Sequence, residues 1–249
     1  MDTIFSIASY SICIRQIILS MKSLLKEFAK KHSRVLVRIY YFLMDNKVVG
    51  LKGNIFRWKN AYIQGLRLSF HGEYNEVIIG DVSSPSVLKN CHIKILGSHN
   101  KIIINSGVMA NDLTINCVDN YCQCEIEEKT MISGKTELAV MEGTKIKIGR
   151  NSLFSANITL RSGDSHSVID AIAGNRINPS KDIIIGEHVW VGNSVIITKG
   201  SEVGDNSIIA TGAIVAGKKY QPNSVIAGNP AKVVKCGVNW TSEKLTIAR

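Results

Sequence analysis

Residues 185–220 read IGEHVW VGNSVI ITKGSE VGDNSI IATGAI VAGKKY, so that Ile185, Val191, Ile197, Val203, Ile209 and Val215 stand six residues apart, often with glycine next. A six-residue step is neither the period of a helix nor the alternation of a simple strand. It places one aliphatic side chain on each side of a three-sided coil, with small or φ-permissive residues at the corners. Working outward, Ile148, Phe154 and Leu160 keep the same step in IGRNSL FSANIT L. Between the two blocks lies SGDSHSVIDAIAGNRINPSKD, whose polar, Gly and Pro residues cannot continue a coil, so a loop thrown outward is expected at about 163–181.

Nearer the N-terminus the register loosens but persists. In EVIIGDV, NKIIINS, CEIEEKT and TKIKIGR the matching residues Ile79, Ile104, Ile126 and Ile148 are 25, 22 and 22 residues apart. Self-similarity at a nearly constant interval is the mark of a solenoid, in which each turn repeats one buried position over the turn below. The low aromatic share, 6%, suits a narrow aliphatic core.

Before Gly50 the texture is different. From Ile12 to Leu43 there is no Pro or Gly, and Ile14, Ile17, Ile18, Met21, Leu24, Leu25 and Phe28 recur at helical spacing, with Lys22, Lys26 and Lys30 on another side. The expected organisation is a basic amphipathic helical segment over 1–50, coils over 51–236 and a polar tail over 237–249.

The net charge of +10 is uneven: residues 1–60 hold eleven Lys/Arg against three Asp/Glu. Such a basic quarter suits an anionic membrane surface or an acidic neighbour, or is only a solvated helix face. Nucleic acid is not expected as a partner. The apolar start, MDTIFSIASYSICIRQ, lacks a basic leader and a cleavage site, and Arg15 interrupts it too early for a membrane span. A cytoplasmic protein, with peripheral contact at the inner face of a membrane, is the expectation. Cysteines 13, 91, 117, 122, 124 and 236 show no zinc-site spacing and read as free, mostly buried thiols.

The segments RSGDSHSVID, IIIGEHVWVGNSVII, VGDNSIIATGAIV and PNSVIAGNPAKVVK resemble those of the hexapeptide-repeat acyltransferases, the group that includes galactoside, maltose and capsular-polysaccharide O-acetyltransferases. The resemblance spans roughly residues 75–236. It implies a mainly β fold, the left-handed parallel β-helix, following the N-terminal helical segment. It also implies a homotrimer with active sites at subunit clefts and acetyl-CoA laid along the C-terminal coils. The activity implied is transfer of acetyl to a hydroxyl of a sugar or bacterial surface polysaccharide, directly and without an acyl-enzyme.

By the same resemblance His166 is the candidate general base. A sugar hydroxyl needs a base within hydrogen-bond reach as its oxygen attacks the thioester, and imidazole is matched to neutral pH. Asp164 is the candidate to orient it, as a carboxylate does in hydrolase triads. Trp190 either shapes the acceptor pocket and donates to the developing oxyanion, or only covers a coil face. His188 is an acceptor-site residue, a rival base or a structural histidine. Arg176 either binds the acceptor or anchors its loop.

For the cofactor the resemblance points to Asn193, Thr211, Lys232 and Lys235, with Gly192 and Gly212 as turns whose amides can approach pantetheine. Where many relatives read Val-Thr-Lys, this chain has Val215-Ala216-Gly217-Lys218-Lys219, which displaces Lys218 by one position. No metal is expected: a γ-type carbonic anhydrase would need a third spaced histidine beside His166 and His188. The alternatives left open are N-acetylation of a nucleotide-linked amino sugar and a non-catalytic structural β-helix.

Overall fold

The computed structural model describes residues 43–246, and the helical segment expected over 1–50 lies almost wholly outside the described residues. The chain divides into two compact units, 1–47 and 48–249, and the second is a parallel β-solenoid. One coil shows its plan. Ile158–Arg161 lies on a first face, Ile183–Ile185 on a second and Trp190–Val191 on a third, and the next coil repeats with Ile196–Thr198, Glu202–Val203 and Ile208–Ile209. Up to an antiparallel pair at the C-terminal end, each strand pairs in parallel with its counterparts above and below, which makes three sheets and a left-handed β-helix. We call the corner between the first and second faces edge one, that between the second and third edge two, and that between the third and first edge three.

The core consists of in-register ladders. On the second face Ile79, Ile104, Ile126, Ile148, Ile185, Val203 and Tyr220 pair successively and are all buried. The four isoleucines spaced 25, 22 and 22 apart are therefore one column, and the strict upper block continues it. On the third face Leu88, Ala110, Ile132, Phe154, Val191 and Ile209 do the same. Burying each such aliphatic side chain contributes about 1.5–3 kcal/mol. The described cysteines are free; Cys91, Cys117, Cys122 and Cys124 are buried in the coils and Cys236 is exposed. Burial pushes the Cys91 thiol up to about 11 and Cys124 to about 12.

Most of the extra residues of the longer lower coils collect at edge one. Inside it, Asn75 Nδ2 donates to Asn54 Oδ1 and Asn100 Nδ2 to Asn75 Oδ1, both at 3.0 Å, so buried amides form a ladder. Outside it, Tyr74, His99 and Tyr121 stack in a column with centroids 5.0 and 5.1 Å apart, one ring per coil. Among the described residues no helix is long and apolar enough to cross a membrane.

The coils also approach closely at edge two. A Cβ on Gly149 would come within 2.4 Å of the Gly186 carbonyl directly above it. Gly149→Ala is therefore expected to lower unfolding stability by about 1–3 kcal/mol, as overpacking does, measured as a shift in the urea midpoint at unchanged m-value.

Candidate active site

Between Arg161 and Ile183 the chain leaves the solenoid at edge one, and Ile169 and Arg176 bridge the excursion into a narrow antiparallel loop. Asn178 is its clamp. Its side-chain amide donates to Asp164 Oδ2 and to the His166 carbonyl, both at 2.8 Å, while its Oδ1 accepts the Val168 N–H at 2.7 Å. Lys199, one coil above, donates its ammonium to Asp164 Oδ2 and also to the Asn178 carbonyl at 3.0 Å. One coil below, Glu142 accepts Arg176 Nη1 at 2.7 Å and the Ser180 N–H at 3.1 Å.

These contacts occupy several of the candidate side chains within one chain. Asp164 turns its carboxylate to Lys199 and Asn178 rather than to the His166 ring, and the Lys199 ammonium, then the Asn178 amide, hold its pKa below the ordinary aspartate value. Arg176 anchors the loop, because its guanidinium is occupied by Glu142 and by Asn178. His166 is exposed, its backbone fixed by Asn178 and its ring without a hydrogen bond among the described residues. The result is an immobilised main chain that presents an open imidazole.

His188 and Trp190 lie elsewhere. His188 takes a left-handed corner conformation at edge two (φ 53°), and its Nδ1 lies 3.1 Å from Asn206 Oδ1 on the next coil. Trp190 stands on the third face, 40% exposed. A third aromatic joins them from the tail: Trp240 stacks on His188 with centroids 4.3 Å apart and donates Nε1–H to the His188 carbonyl at 2.7 Å. Spacing arguments missed it because it lies beyond the last coil, although a lone tryptophan in a polar tail was a visible signal.

The cofactor candidates divide by edge. Asn193 and Thr211 are exposed on successive coils of edge three, joined by the Gly212 N–H donating to the Asn193 carbonyl at 2.9 Å. Lys232 is exposed beside the turn that closes the same edge, on the antiparallel strand Ala231–Cys236 and opposite Ala227; Lys235 lies further along that strand. Gly212 has φ +74° and open space at its Cβ position, so its corner is accessible. Gly192 is different: a Cβ there would meet the Thr211 nitrogen at 2.7 Å, so its missing side chain lets the next coil stack closely. Lys218 is exposed on edge one, apart from the other candidates.

The comparisons agree with this architecture along most of its length. A polysialic acid O-acetyltransferase of Neisseria meningitidis is 29% identical over 181 residues, which are 64% of this chain and 84% of the relative. The crystal structure of the polysialic acid O-acetyltransferase OatWY superposes with a TM-score of 0.72 at 28% identity, covering 80% of this chain and 92% of the other. These relatives make the chain an acyltransferase enzyme, similar to the hexapeptide-repeat O-acetyltransferases. The galactoside O-acetyltransferase of Escherichia coli K12 is also similar, 39% identical over 98 residues that cover 47% of that enzyme. No family model matches the sequence.

In this acyltransferase the loop anchor is electrostatic. Arg176 and then the Ser180 N–H hold the Glu142 pKa down at about 2, against 4.5 ordinarily. A carboxylate lowered on folding favours the folded loop above its ordinary pKa, and that contribution is lost only as pH falls towards 2. Glu142→Gln should free Arg176 and speed tryptic cleavage after it by about threefold or more at neutral pH, with the far-ultraviolet circular dichroism unchanged. An unaltered cleavage rate would show that Asn178 suffices as anchor.

Proposed function

We propose that this acyltransferase moves the acetyl group of acetyl-CoA onto a hydroxyl of a sugar in a bacterial polysaccharide, with His166 as general base and residues 51–236 as the catalytic domain. The observation that carries this reading is the likeness to a polysialic acid O-acetyltransferase over 92% of its length, combined with an anchored loop that presents an open imidazole.

Acetyl-CoA supplies an activated thioester, and edge three fits it: Asn193 and Thr211 offer polar groups, Gly212 leaves room, and Lys232 stands where phosphate charge would leave. His166 accepts the hydroxyl proton as the sugar oxygen bonds to the thioester carbonyl carbon. As the carbon–sulfur bond breaks, the imidazolium returns that proton to the departing thiolate. Asp164, locked to Lys199, acts on the base by keeping the loop in place. Lys218, on edge one, reaches a cofactor only across subunits.

The same reading includes a homotrimer. His166 leaves the coil at edge one, and Trp190 stands on the third face, the side opposite that edge. Anchored as the loop is, base and tryptophan meet only if they come from different copies. The third face also carries an outward apolar stripe in register through Val87, Met109, Met131, Leu153, Trp190 and Ile208, a surface suited to association. The basic first 60 residues would hold the trimer in the cytoplasm beside an anionic membrane face.

The test is release of free thiol from acetyl-CoA by wild type and His166→Ala, with polysialic acid and galactosides offered as acceptors. A carbohydrate should stimulate release by wild type, and the variant should lose about 10²–10⁴-fold in kcat while still binding CoA. Stimulation by amino sugars alone, equal in both proteins, would overturn the hydroxyl acceptor and the base together.

A further inference from the structure

We propose that Trp240, on the C-terminal tail, is an acceptor-binding residue that forms with Trp190 an aromatic corner for the face of a sugar ring. The inference rests on the proposed carbohydrate acceptor and adds a contact from outside the coils.

The tail is built into place. After the strand Ala231–Cys236 it turns down edge two, where the Val238 N–H donates to the Asn223 carbonyl at 3.0 Å and Asn223 Nδ2 donates to the Val238 carbonyl at 3.1 Å. Two coils lower Trp240 is fixed by its hydrogen bond and stacking on His188. Its ring then lies 6.1 Å from that of Trp190 and tilted to it by 46°. Two indoles at such an angle make an open corner rather than a closed stack.

The chemistry of this corner matches a pyranose, which has an apolar face of C–H groups and a rim of hydroxyls. Trp240 spends its only polar atom on the His188 carbonyl, so what remains is carbon surface. Trp190 has no hydrogen-bond partner for its indole N–H among the described residues, and the His188 ring lies beside the corner with Nδ1 set against Asn206 Oδ1. An apolar corner with an indole N–H and an imidazole at its margin can hold a sugar ring in one orientation. The coupling to Trp190 also places it beside the residue that the proposed mechanism brings to the base.

Two measurements test this. The first compares Trp240→Ala and Trp240→Phe with wild type for KM and kcat, using whichever carbohydrate stimulates thiol release. Trp240→Ala should raise the acceptor KM about tenfold, with kcat changed less than about twofold and the KM for acetyl-CoA unmoved. Trp240→Phe keeps an aromatic face and should recover most of the affinity.

The second needs no turnover. In a Trp58→Phe background only Trp190 and Trp240 emit, and titration with polysialic acid oligosaccharides or methyl galactoside should change their fluorescence saturably, an effect lost in Trp240→Ala. Saturable quenching without thiol release would sustain the corner while the transfer reading failed. Thiol release at an unchanged acceptor KM in Trp240→Ala would overturn the corner and leave the transfer reading intact. If Trp240→Ala dissociates the oligomer on sedimentation and Trp240→Phe restores assembly without altering KM, Trp240 is an assembly residue and the proposal is overturned.

Discussion

Parallel stacking of one coil on the next, with every inner side chain set over its counterpart, is the constraint on which this molecule depends. A column such as Ile104, Ile126, Ile148 and Ile185 has no second way to pack, since a slip by one residue would turn its whole set outward. The strands themselves are only two to six residues long and contribute little individually. Stability accrues between neighbouring coils, which is why close approach at Gly149 and Gly186 matters as much as any aliphatic contact.

That constraint also dictates where chemistry can be placed. Inner positions are spent on the core and the flat faces are fully paired along the axis, so functional groups are left to the corners and the outward strand positions. The loop after Arg161 is too polar to enter the core and leaves at edge one. Once outside, it is held by charges from the coils on both sides, Glu142 below and Lys199 above, and by the side-chain hydrogen bonds of Asn178. An exposed loop so tied can hold an imidazole still without packing around it, which general base catalysis requires.

The corners further divide the labour. Edge one holds His166, edge two holds His188 with Trp240, and edge three holds Asn193, Thr211 and Lys232. No single chain gathers these groups, because a three-sided coil keeps its edges apart. In the proposed trimer, assembly of copies across the apolar stripe of the third face would bring one edge of a protomer to another face, so that oligomerisation and activity become one property.

The six-residue step from Ile185 to Val215, and the column Ile79, Ile104, Ile126 and Ile148, were sufficient to specify a three-sided solenoid, because a repeated aliphatic position has only one use in such a fold. The outward loop was legible from SGDSHSVIDAIAGNRINPSKD for the complementary reason that nothing in it could be buried. Resemblance then pointed to His166 and Trp190, but the partners of these side chains were beyond reach of spacing. Lys199 meets Asp164 across 35 residues and Trp240 meets His188 across 52. Likewise Gly192 reads as an open turn in sequence, yet the space at its Cβ position is filled by Thr211 of the next coil. Local pattern determined the coil and its exits; which groups share an edge, which charges are already paired and which small residues are needed for packing were decided only when one coil was laid upon the next.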